Sequence, residues 1–261
     1  MSPIVYSVDI EATGVDYRND RIIQLAVLKV NGQEVEAWDN LCYTDIEIPP
    51  IVAEITGITN AKLEEAYWPD ETDAFMALQE GNRPESVFLS HGNRLDLAML
   101  ANEGLEIVMK KVDTDKCARA LLPDAPSYKL GDLIERYGLG VRAEAVAEKI
   151  GKADIEAHDA LSDAIWHYAL FTLLMERVDG DVEALVRLTA EPMLLEKITF
   201  GKFKGRSFEE VFTKEPGALV WMYANMTDDW EDLEYTLRHW LEKKPFFWTQ
   251  AQEEKKKVTI F

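Results

Sequence analysis

Hydrophobic and polar positions along the chain predict a group of strands near the N-terminus. Five segments have an apolar, β-branched composition: 4–11, 21–30, 34–43, 86–90 and 112–114. Asn31-Gly32 separates the second from the third, and this dipeptide is a strong signal for a two-residue hairpin turn. The second and third strands are therefore predicted to be antiparallel neighbours.

Helical spacing of apolar residues follows the opening strands and later dominates the chain. The longest such segment is Ala160 to Val178, with apolar side chains every three or four residues along one stripe. Strands interspersed with helices indicate an α/β fold in which helices flank a mixed five-stranded sheet. From Ile198 onwards, helical segments and four of the seven tryptophans predict a small, mainly helical C-terminal module with an aromatic core.

Length and cysteine content narrow the class of protein. A chain of 261 residues fits one large domain, or one domain with a small appendage. No segment approaches the roughly 20 apolar residues needed to span a membrane, and we expect no secretory signal. With only Cys42 and Cys117, a disulfide scaffold and a cysteine zinc site are excluded, and a cytoplasmic location is expected.

The formal net charge of −20 is distributed unevenly. Residues 1–192 carry 17 basic and 36 acidic residues, whereas residues 193–261 carry 11 and 12. Such an acidic chain repels nucleic acid at long range. If its partner is a polyanion, metal ions in the first part and local lysines in the second must supply the attraction, and binding should be sensitive to salt.

Two carboxylates end the first predicted strand, in the sequence Asp9-Ile10-Glu11. Because side chains alternate along a strand, Asp9 and Glu11 project from the same face and repel each other. A divalent cation with a preference for oxygen ligands, Mg²⁺ or Mn²⁺, would relieve that repulsion. The tripeptide also occurs at 45–47 and 154–156, but only the first copy follows an apolar strand and precedes a glycine turn.

Two further acids and a histidine lie where they could join this pair. Asp96 opens a helix shortly after the fourth strand, and Asp163 lies in the long helix. His158 precedes Asp163 by five residues, which would separate them by about 140° on a regular helix. We therefore predict that His158 lies before the regular turns, on a loop, where it suits a mobile base better than a fixed ligand. His91 is interpreted as structural, and His167 and His239, which lie on helices beside aromatic residues, as core or surface residues.

These motifs resemble those of the DEDDh 3′→5′ exonucleases, the DnaQ-like branch of the ribonuclease H-like fold. The resemblance rests on Asp9-x-Glu11 with Thr13-Gly14, on Asp96, and on His158 with Asp163. Residues 54–59 resemble the segment that contacts the terminal nucleotide, and residues 200–206 with Pro216-Gly217 and Trp221 resemble the C-terminal module of exodeoxyribonuclease X-type enzymes. Domains are thus expected at 1–180 (exonuclease) and 198–250 (C-terminal module), with a linker or helix at 181–197 and a flexible tail at 251–261.

The resemblance implies hydrolysis of DNA from single-stranded or frayed 3′ ends, releasing nucleoside 5′-monophosphates. It implies two Mg²⁺ ions, with Mn²⁺ as substitute, held by the four acids Asp9, Glu11, Asp96 and Asp163, of which Asp9 bridges. His158 would take a proton from the attacking water. Residues implied to contact the substrate are Ala12, Thr13, Gly14 and Ile58.

Other interpretations stay open at this stage. The same acids cut DNA or RNA, so an RNA-trimming exoribonuclease is an alternative, as is a non-catalytic module that binds nucleic acid or a replication factor. Lys202, Lys204 and Arg206 form either a solvated turn or a DNA contact. The end of the chain, 255–261, faintly resembles a sliding-clamp peptide but fits a fraying tail better.

Overall fold

The computed structural model describes residues 3–228 and 230–258. The chain forms two compact units, Met1–Thr189 and Ala190–Phe261. The strands are β1 (Val5–Ala12), β2 (Ile22–Asn31), β3 (Glu34–Leu41), β4 (Val87–Ser90) and β5 (Lys110–Asp113). The α-helices of the first unit are α1 (Pro50–Thr56), α2 (Asn60–Leu63), α3 (Asp73–Gly81), α4 (Arg94–Asn102), α5 (Thr114–Leu121), α6 (Leu130–Arg136), α7 (Gly140–Ile150), α8 (Ala160–Arg177) and α9 (Val182–Ala190).

The five strands form one mixed sheet in the order β3-β2-β1-β4-β5, which confirms the predicted α/β architecture. β1 pairs with β2 and β2 with β3 in antiparallel fashion, whereas β4 lies parallel to both β1 and β5. Pairing between β1 and β4 ends at Ser7 and Leu89. The carboxyl end of β1 therefore runs past β4 and leaves an open edge there on one side.

The two faces of β1 pack against different layers of helices. Tyr6, Val8 and Ile10 lie in a core that includes residues of α3 and α4, whereas Val5 lies in a core built around α8. Ser7, on the α8 side, donates a hydrogen bond from Oγ to the carbonyl oxygen of Ala164 at 2.7 Å. This buried bond fixes α8 against the strand that carries Asp9 and Glu11.

The first unit extends to Thr189 because α9 packs on its core. Leu185 is fully buried in the cluster around α8, and its carbonyl oxygen accepts a hydrogen bond from Cys117 Sγ at 3.5 Å. The segment 181–197, expected as a linker or helix, is therefore divided between the two units.

The second unit is helical, as the sequence predicts. Its α-helices are α10 (Phe208–Lys214), α11 (Pro216–Met226), α12 (Glu231–Leu241) and α13 (Pro245–Val258). Leu233, Leu237 and Leu241 repeat every four residues on α12, and all three are fully buried in one core. None of the helices in the described parts of the chain is long and apolar enough to cross a membrane.

Residues 251–258 correct one expectation, because they continue α13 instead of forming a flexible tail. Ala251 is fully buried in the core of the second unit, and Lys255 lies 3.5 Å from Glu234. A helix that is packed and paired in this way is not the free peptide that the sliding-clamp interpretation requires. Residues 259–261, the apolar end of that sequence, lie outside the described residues.

Gly81 supports a test of the packing on one face of β1. A Cβ at Gly81, at the end of α3, would lie 2.1 Å from Tyr6 Cζ, whereas a Cβ at Gly131 in α6 would meet no atom within 4 Å. We expect Gly81→Ala to lower the free energy of unfolding by about 1–3 kcal/mol through overpacking. The matched variant Gly131→Ala should raise it by about 0.5–1 kcal/mol through helix propensity. Urea denaturation followed by circular dichroism measures both, and equal effects would contradict the packing argument.

Candidate active site

β1 brings the first two acids to the open edge of the sheet. Asp9 pairs with Ala26 and Glu11 with Gln24 across the β1–β2 ladder, so both carboxylates project from the face that packs on α8. The ladder is irregular between Glu11 and Ala12, where the strand ends. Both side chains are half-buried, and 19% of the Asp9 side chain is exposed.

Asp96 reaches the same place from the first turn of α4 and is buried. The loop that precedes it is held by Asp113, whose carboxylate accepts hydrogen bonds from the backbone N–H groups of Gly92 at 2.9 Å and Asn93 at 3.1 Å. The same carboxylate caps α5 by accepting from the N–H of Asp115 at 2.9 Å. Asp113 therefore sets the direction from which Asp96 approaches.

His91 has the structural role expected of it. Its Nδ1 lies 2.8 Å from Thr114 Oγ1, and its Nε2 lies 2.8 Å from the carbonyl oxygen of Tyr128. Both ring nitrogens are thus used to hold the loop after β4 against the start of α5 and the segment before α6.

The start of α8 positions Asp163 and His158. Asp159 caps the helix by accepting a hydrogen bond from Ser162 N–H at 2.9 Å, and Lys152 pairs with Asp159 at 2.8 Å. His158 lies outside the helix, as its spacing predicts, and is exposed. Its φ of 63° is in the left-handed region, which is costly for a residue with a Cβ and is found preferentially at functional sites. Its backbone N–H donates to Asp163 Oδ2 at 3.1 Å, so this turn ties the backbone of His158 to the side chain of Asp163.

The structure brings the predicted residues together. Ligand atoms of Glu11, His158 and Asp163 all lie within 4.8 Å of one another. Asp9 is close enough for Asp96, Asp163 and Glu11 to raise its pKa. Glu11, His158 and Asp163 therefore form one group at the carboxyl end of β1, and Asp9 and Asp96 lie within electrostatic range of its acids.

Burial and mutual repulsion make these carboxylates poor at carrying charge in the absence of a cation. Burial is the main cause for each, and it raises the pKa of Glu11 to about 7, of Asp96 to about 7 and of Asp163 to about 6. The pKa of Asp9 lies well above its usual value, first through burial and then through Asp96 and Asp163. The Ser90 hydroxyl for Asp96, and the N–H and ring of His158 for Asp163, partly offset these increases.

The donor set fits a hard divalent cation. Carboxylate oxygens are the ligands that Mg²⁺ and Mn²⁺ prefer, and the charged neighbours that raise the pKa of Glu11 are all carboxylates (Asp163, Asp96 and Asp159). A doubly charged ion among them would remove the repulsion that the protein alone leaves in place.

His167, which the sequence interpretation gave as a core or surface residue, lies beside the acids. It lies one helical turn after Asp163, and its ring is buried. Its Nδ1 lies 3.1 Å from the carbonyl oxygen of Val8, and its Nε2 lies 3.7 Å from Asp9 Oδ1. Burial, followed by the nearby His91, lowers the pKa of His167 to about 3, so the ring is neutral. The carbonyl oxygen of Val8 needs a donor, so Nδ1 carries the proton and the lone pair of Nε2 faces Asp9. The spacing of four residues from Asp163 was the signal that could have revealed it.

The residues expected to contact the substrate have different surroundings. Thr13 is buried, and its Oγ1 donates to Asp20 Oδ1 at 2.9 Å while accepting from Arg21 N–H at 3.0 Å. A Cβ at Gly14 would lie 2.4 Å from Asp20 Oδ2, so a larger residue here would displace the Asp20 side chain. Ala12, beside them, is half-buried at the end of β1.

Ile58 corrects the expectation for the 54–59 segment. Only 4% of Ile58 is exposed, because its side chain packs with Ile23, Ile48 and Leu63. The side chain is therefore not available to a substrate in this conformation. The apolar side chains that α1 offers to solvent are instead Ile51 and Ile55, at 60% and 50% exposure.

The three basic residues of the second unit differ from one another. Arg206 is half-buried and is paired with Glu215 at 2.9 Å and with Glu210 at 3.3 Å. Lys202 and Lys204 are exposed, and Lys202 Nζ lies 4.6 Å from the ring centroid of Phe203. The ion pairs of Arg206 therefore stabilise the second unit, whereas Lys202 and Lys204 remain on its surface.

Comparisons with known proteins agree with this geometry. The sequence model of the family described as "RNase_T: Exonuclease" matches residues 7–171, which include all four acids and His158. The chain is 26% identical over 222 residues to Exodeoxyribonuclease 10 of Escherichia coli K12, an alignment that covers 85% of this chain and 92% of that protein.

Two solved structures have a similar fold. Exonuclease X in complex with 5′ overhanging duplex DNA aligns with a TM-score of 0.57 and 21% identity, covering 71% of this chain and 99% of that one. Exonuclease I of E. coli in complex with a dT13 oligonucleotide aligns with a TM-score of 0.53 and 19% identity, covering 74% and 47%. These likenesses confirm the predicted ribonuclease H-like fold.

The raised pKa values predict how the stability of the metal-free protein depends on pH. Because the folded pKa values of Glu11 and Asp163 exceed their usual values near 4, folding favours the protonated acids. The stability that they contribute is fully present below about pH 4 and is lost as the pH rises through about 6 to 7. In chelator, Tm should fall by several degrees between pH 5.5 and 8, and Mn²⁺ at pH 8 should restore it.

Variants isolate this effect from the rest of the chain. Asp163→Asn and Glu11→Gln should each raise the metal-free Tm at pH 8 and flatten its pH dependence. Glu47→Gln, a change of the same chemistry in the exposed second Asp-Ile-Glu copy, should do neither. Differential scanning calorimetry measures these shifts, and a lower Tm for both site variants at pH 8 would refute the repulsion argument.

His167 predicts an effect on cation binding that can be separated from folding. His167→Asn keeps an N–H able to reach the Val8 carbonyl but removes the nitrogen that faces Asp9. We expect it to stay folded and to need about 10–100-fold more Mn²⁺ for half-maximal thermal stabilisation, the usual cost of changing a residue packed beside a metal ligand. His239→Asn, in the exposed part of α12, is the control. Unchanged Mn²⁺ dependence in His167→Asn would limit His167 to packing.

Proposed function

Because this chain belongs to the exonuclease family, we propose that it is a metal-dependent enzyme that hydrolyses DNA from the 3′ end. The observation that carries the proposal is the group of Glu11, His158 and Asp163 at one edge of the sheet, with Asp9 and Asp96 within electrostatic range of its acids. The DNA-bound relatives Exonuclease X and Exonuclease I, together with Exodeoxyribonuclease 10, support DNA as the substrate.

The proposed reaction is hydrolysis of the terminal phosphodiester bond. A water oxygen forms a bond to phosphorus, the bond from phosphorus to the 3′ oxygen of the preceding nucleotide breaks, and a nucleoside 5′-monophosphate leaves. Asp9, Glu11, Asp96 and Asp163 would hold two Mg²⁺ ions. Bound ions of this kind lower the pKa of water and neutralise charge on the leaving oxygen.

The remaining steps fall to side chains of the protein. His158 is exposed at the rim of the acid cluster, so its ring can accept the proton of the attacking water and release it to solvent. Asp163 Oδ2 accepts a hydrogen bond from the backbone N–H of His158. This bond holds the loop that carries His158 next to Asp163. Neutral His167 lies beside Asp9 and places no positive charge there that would compete with a cation.

A reducing compartment such as the cytoplasm is part of this proposal. Cys42 and Cys117 are both free, buried thiols, and burial raises their pKa to about 12 and about 11. Neither is a reactive thiolate, so neither enters the proposed chemistry.

A cleavage assay with matched substrates tests the proposal. With Mg²⁺, 5′-labelled single-stranded DNA should give a descending ladder, and chelator should abolish it. Asp9→Asn and Asp163→Asn should each lower the rate by at least about 10³-fold, since cation binding contributes several kcal/mol to the transition state. The control Asp45→Asn, in the exposed second Asp-Ile-Glu copy, should cut at the wild-type rate.

The same assay decides between the proposal and its alternatives. An RNA strand of the same sequence that is cut faster than DNA would assign the chain to RNA trimming. If the wild-type protein gives no ladder, or if Asp163→Asn cuts as fast as wild type, the chain is a non-catalytic member of its family and the hydrolytic proposal fails.

A further inference from the structure

The junction between α12 and α13 carries lysines and aromatic rings in contact. Lys243 Nζ lies 3.5 Å from the ring centroid of Trp240, and Lys244 Nζ lies 6.0 Å from that of Phe247. The rings of Phe246 and Phe247 meet edge to face at 5.3 Å. We call these five residues the junction patch: Trp240, Lys243, Lys244, Phe246 and Phe247.

The patch is supported from below by buried side chains. Phe212 of α10 is buried, and its ring lies 5.7 Å from that of Trp240 and 4.8 Å from Lys244 Nζ. Leu241, the last residue of α12, is fully buried in the same core. The patch is therefore held on a rigid base, while Phe246 projects from the first turn of α13 with 74% of its surface exposed.

The lysines of the patch differ from the ion-paired basic residues of the second unit. Arg206, Lys214 and Arg238 each pair with a glutamate in their own unit. Lys243 and Lys244 are exposed and form no ion pair within residues 3–228 and 230–258, although the chain has 48 acidic residues. Two positive charges are therefore available to a partner. They lie near the ring of Phe246, whose exposure to water is unfavourable.

Cations beside the exposed ring of Phe246 and the half-buried rings of Trp240 and Phe247 match one class of ligand. Lysines attract phosphate groups, and aromatic faces stack on unpaired bases, a combination used to bind single-stranded nucleic acid without sequence preference. In a duplex, the faces of the bases are stacked on one another and cannot contact Phe246. An acidic peptide would pair with the lysines but would offer nothing that stacks on the rings. We propose that the junction patch is a second binding site, for single-stranded DNA, in the C-terminal unit. It rests on the proposed function only in taking DNA as the polyanion.

Binding without cleavage tests the proposal directly. The full chain carrying Asp163→Asn, in chelator, is titrated against 5′-fluorescein-labelled dT30 and followed by fluorescence anisotropy. Adding Phe246→Ala should weaken binding about tenfold through loss of stacking, and Phe246→Trp should restore it. Adding Lys243→Gln with Lys244→Gln should weaken binding and reduce the slope of log K against log salt by about 1.4.

A charge-matched control separates the patch from general electrostatics. Lys256→Gln with Lys257→Gln removes two exposed lysines from α13, outside the patch, and should change affinity less than twofold. A blunt duplex of equal length should be insensitive to Phe246→Ala. All patch variants must keep the circular dichroism spectrum and Tm of their Asp163→Asn parent. We expect this because the altered side chains are exposed.

Each outcome has a defined meaning. If Phe246→Ala binds dT30 as tightly as the parent, or if both lysine pairs have equal effects, the junction patch is not a DNA site. If patch variants lose affinity while wild-type protein with Mg²⁺ cuts no DNA, the binding site stands and the proposed hydrolysis fails. If wild type cuts DNA and patch variants bind normally, the hydrolysis stands and the second site is refuted.

Discussion

Repulsion among four carboxylates at the end of β1 is the constraint around which the first unit is built. The acids come from β1, α4 and α8. Burial raises the pKa of each, and repulsion from the other site acids raises the pKa of Asp9 and Glu11 further. Such a cluster can persist only where contacts with the surrounding structure hold its members in place. Two buried contacts do so here: Ser7 binds the backbone of α8, and Asp113 binds the loop before Asp96. The cores on both faces of the sheet therefore support a site that would otherwise spread apart.

A charged histidine beside Asp9 would have been the simplest way to relieve this repulsion, and the structure avoids it. Burial holds His167 neutral, with its proton on the nitrogen that faces the Val8 carbonyl. Lys152, the nearby cation, is occupied by Asp159 at the start of α8. The negative charge of the cluster is consequently kept for an ion that binds from outside. Stability of the metal-free fold is given up for affinity toward a divalent cation, a trade often found where function requires a strained site.

Most of the fold and the main acids could be predicted because local patterns determine them. Alternation places Asp9 and Glu11 on one face, and the spacing of His158 from Asp163 puts the histidine outside α8. Features that depend on packing between distant segments could not be predicted in this way. Ile58 looks like a surface residue until Ile23 and Leu63 cover it, and Arg206 looks like a free cation until Glu215 reaches it. Residues 251–258 are rich in charge, yet the burial of Ala251 holds them in α13.

The overall charge of −20 limits how such a chain can attract DNA. A long-range basic field is not available to it, because residues 1–192 alone carry 36 acidic residues against 17 basic ones. Attraction must act within about 8 Å, the distance over which charges are screened at physiological salt. Ions among carboxylates and bases stacked on rings both act over such distances, and stacking requires no net positive charge. An acidic exonuclease can therefore combine a cation-filled site with an aromatic patch, and the two exposed lysines at the α12–α13 junction serve to orient a strand that stacking retains.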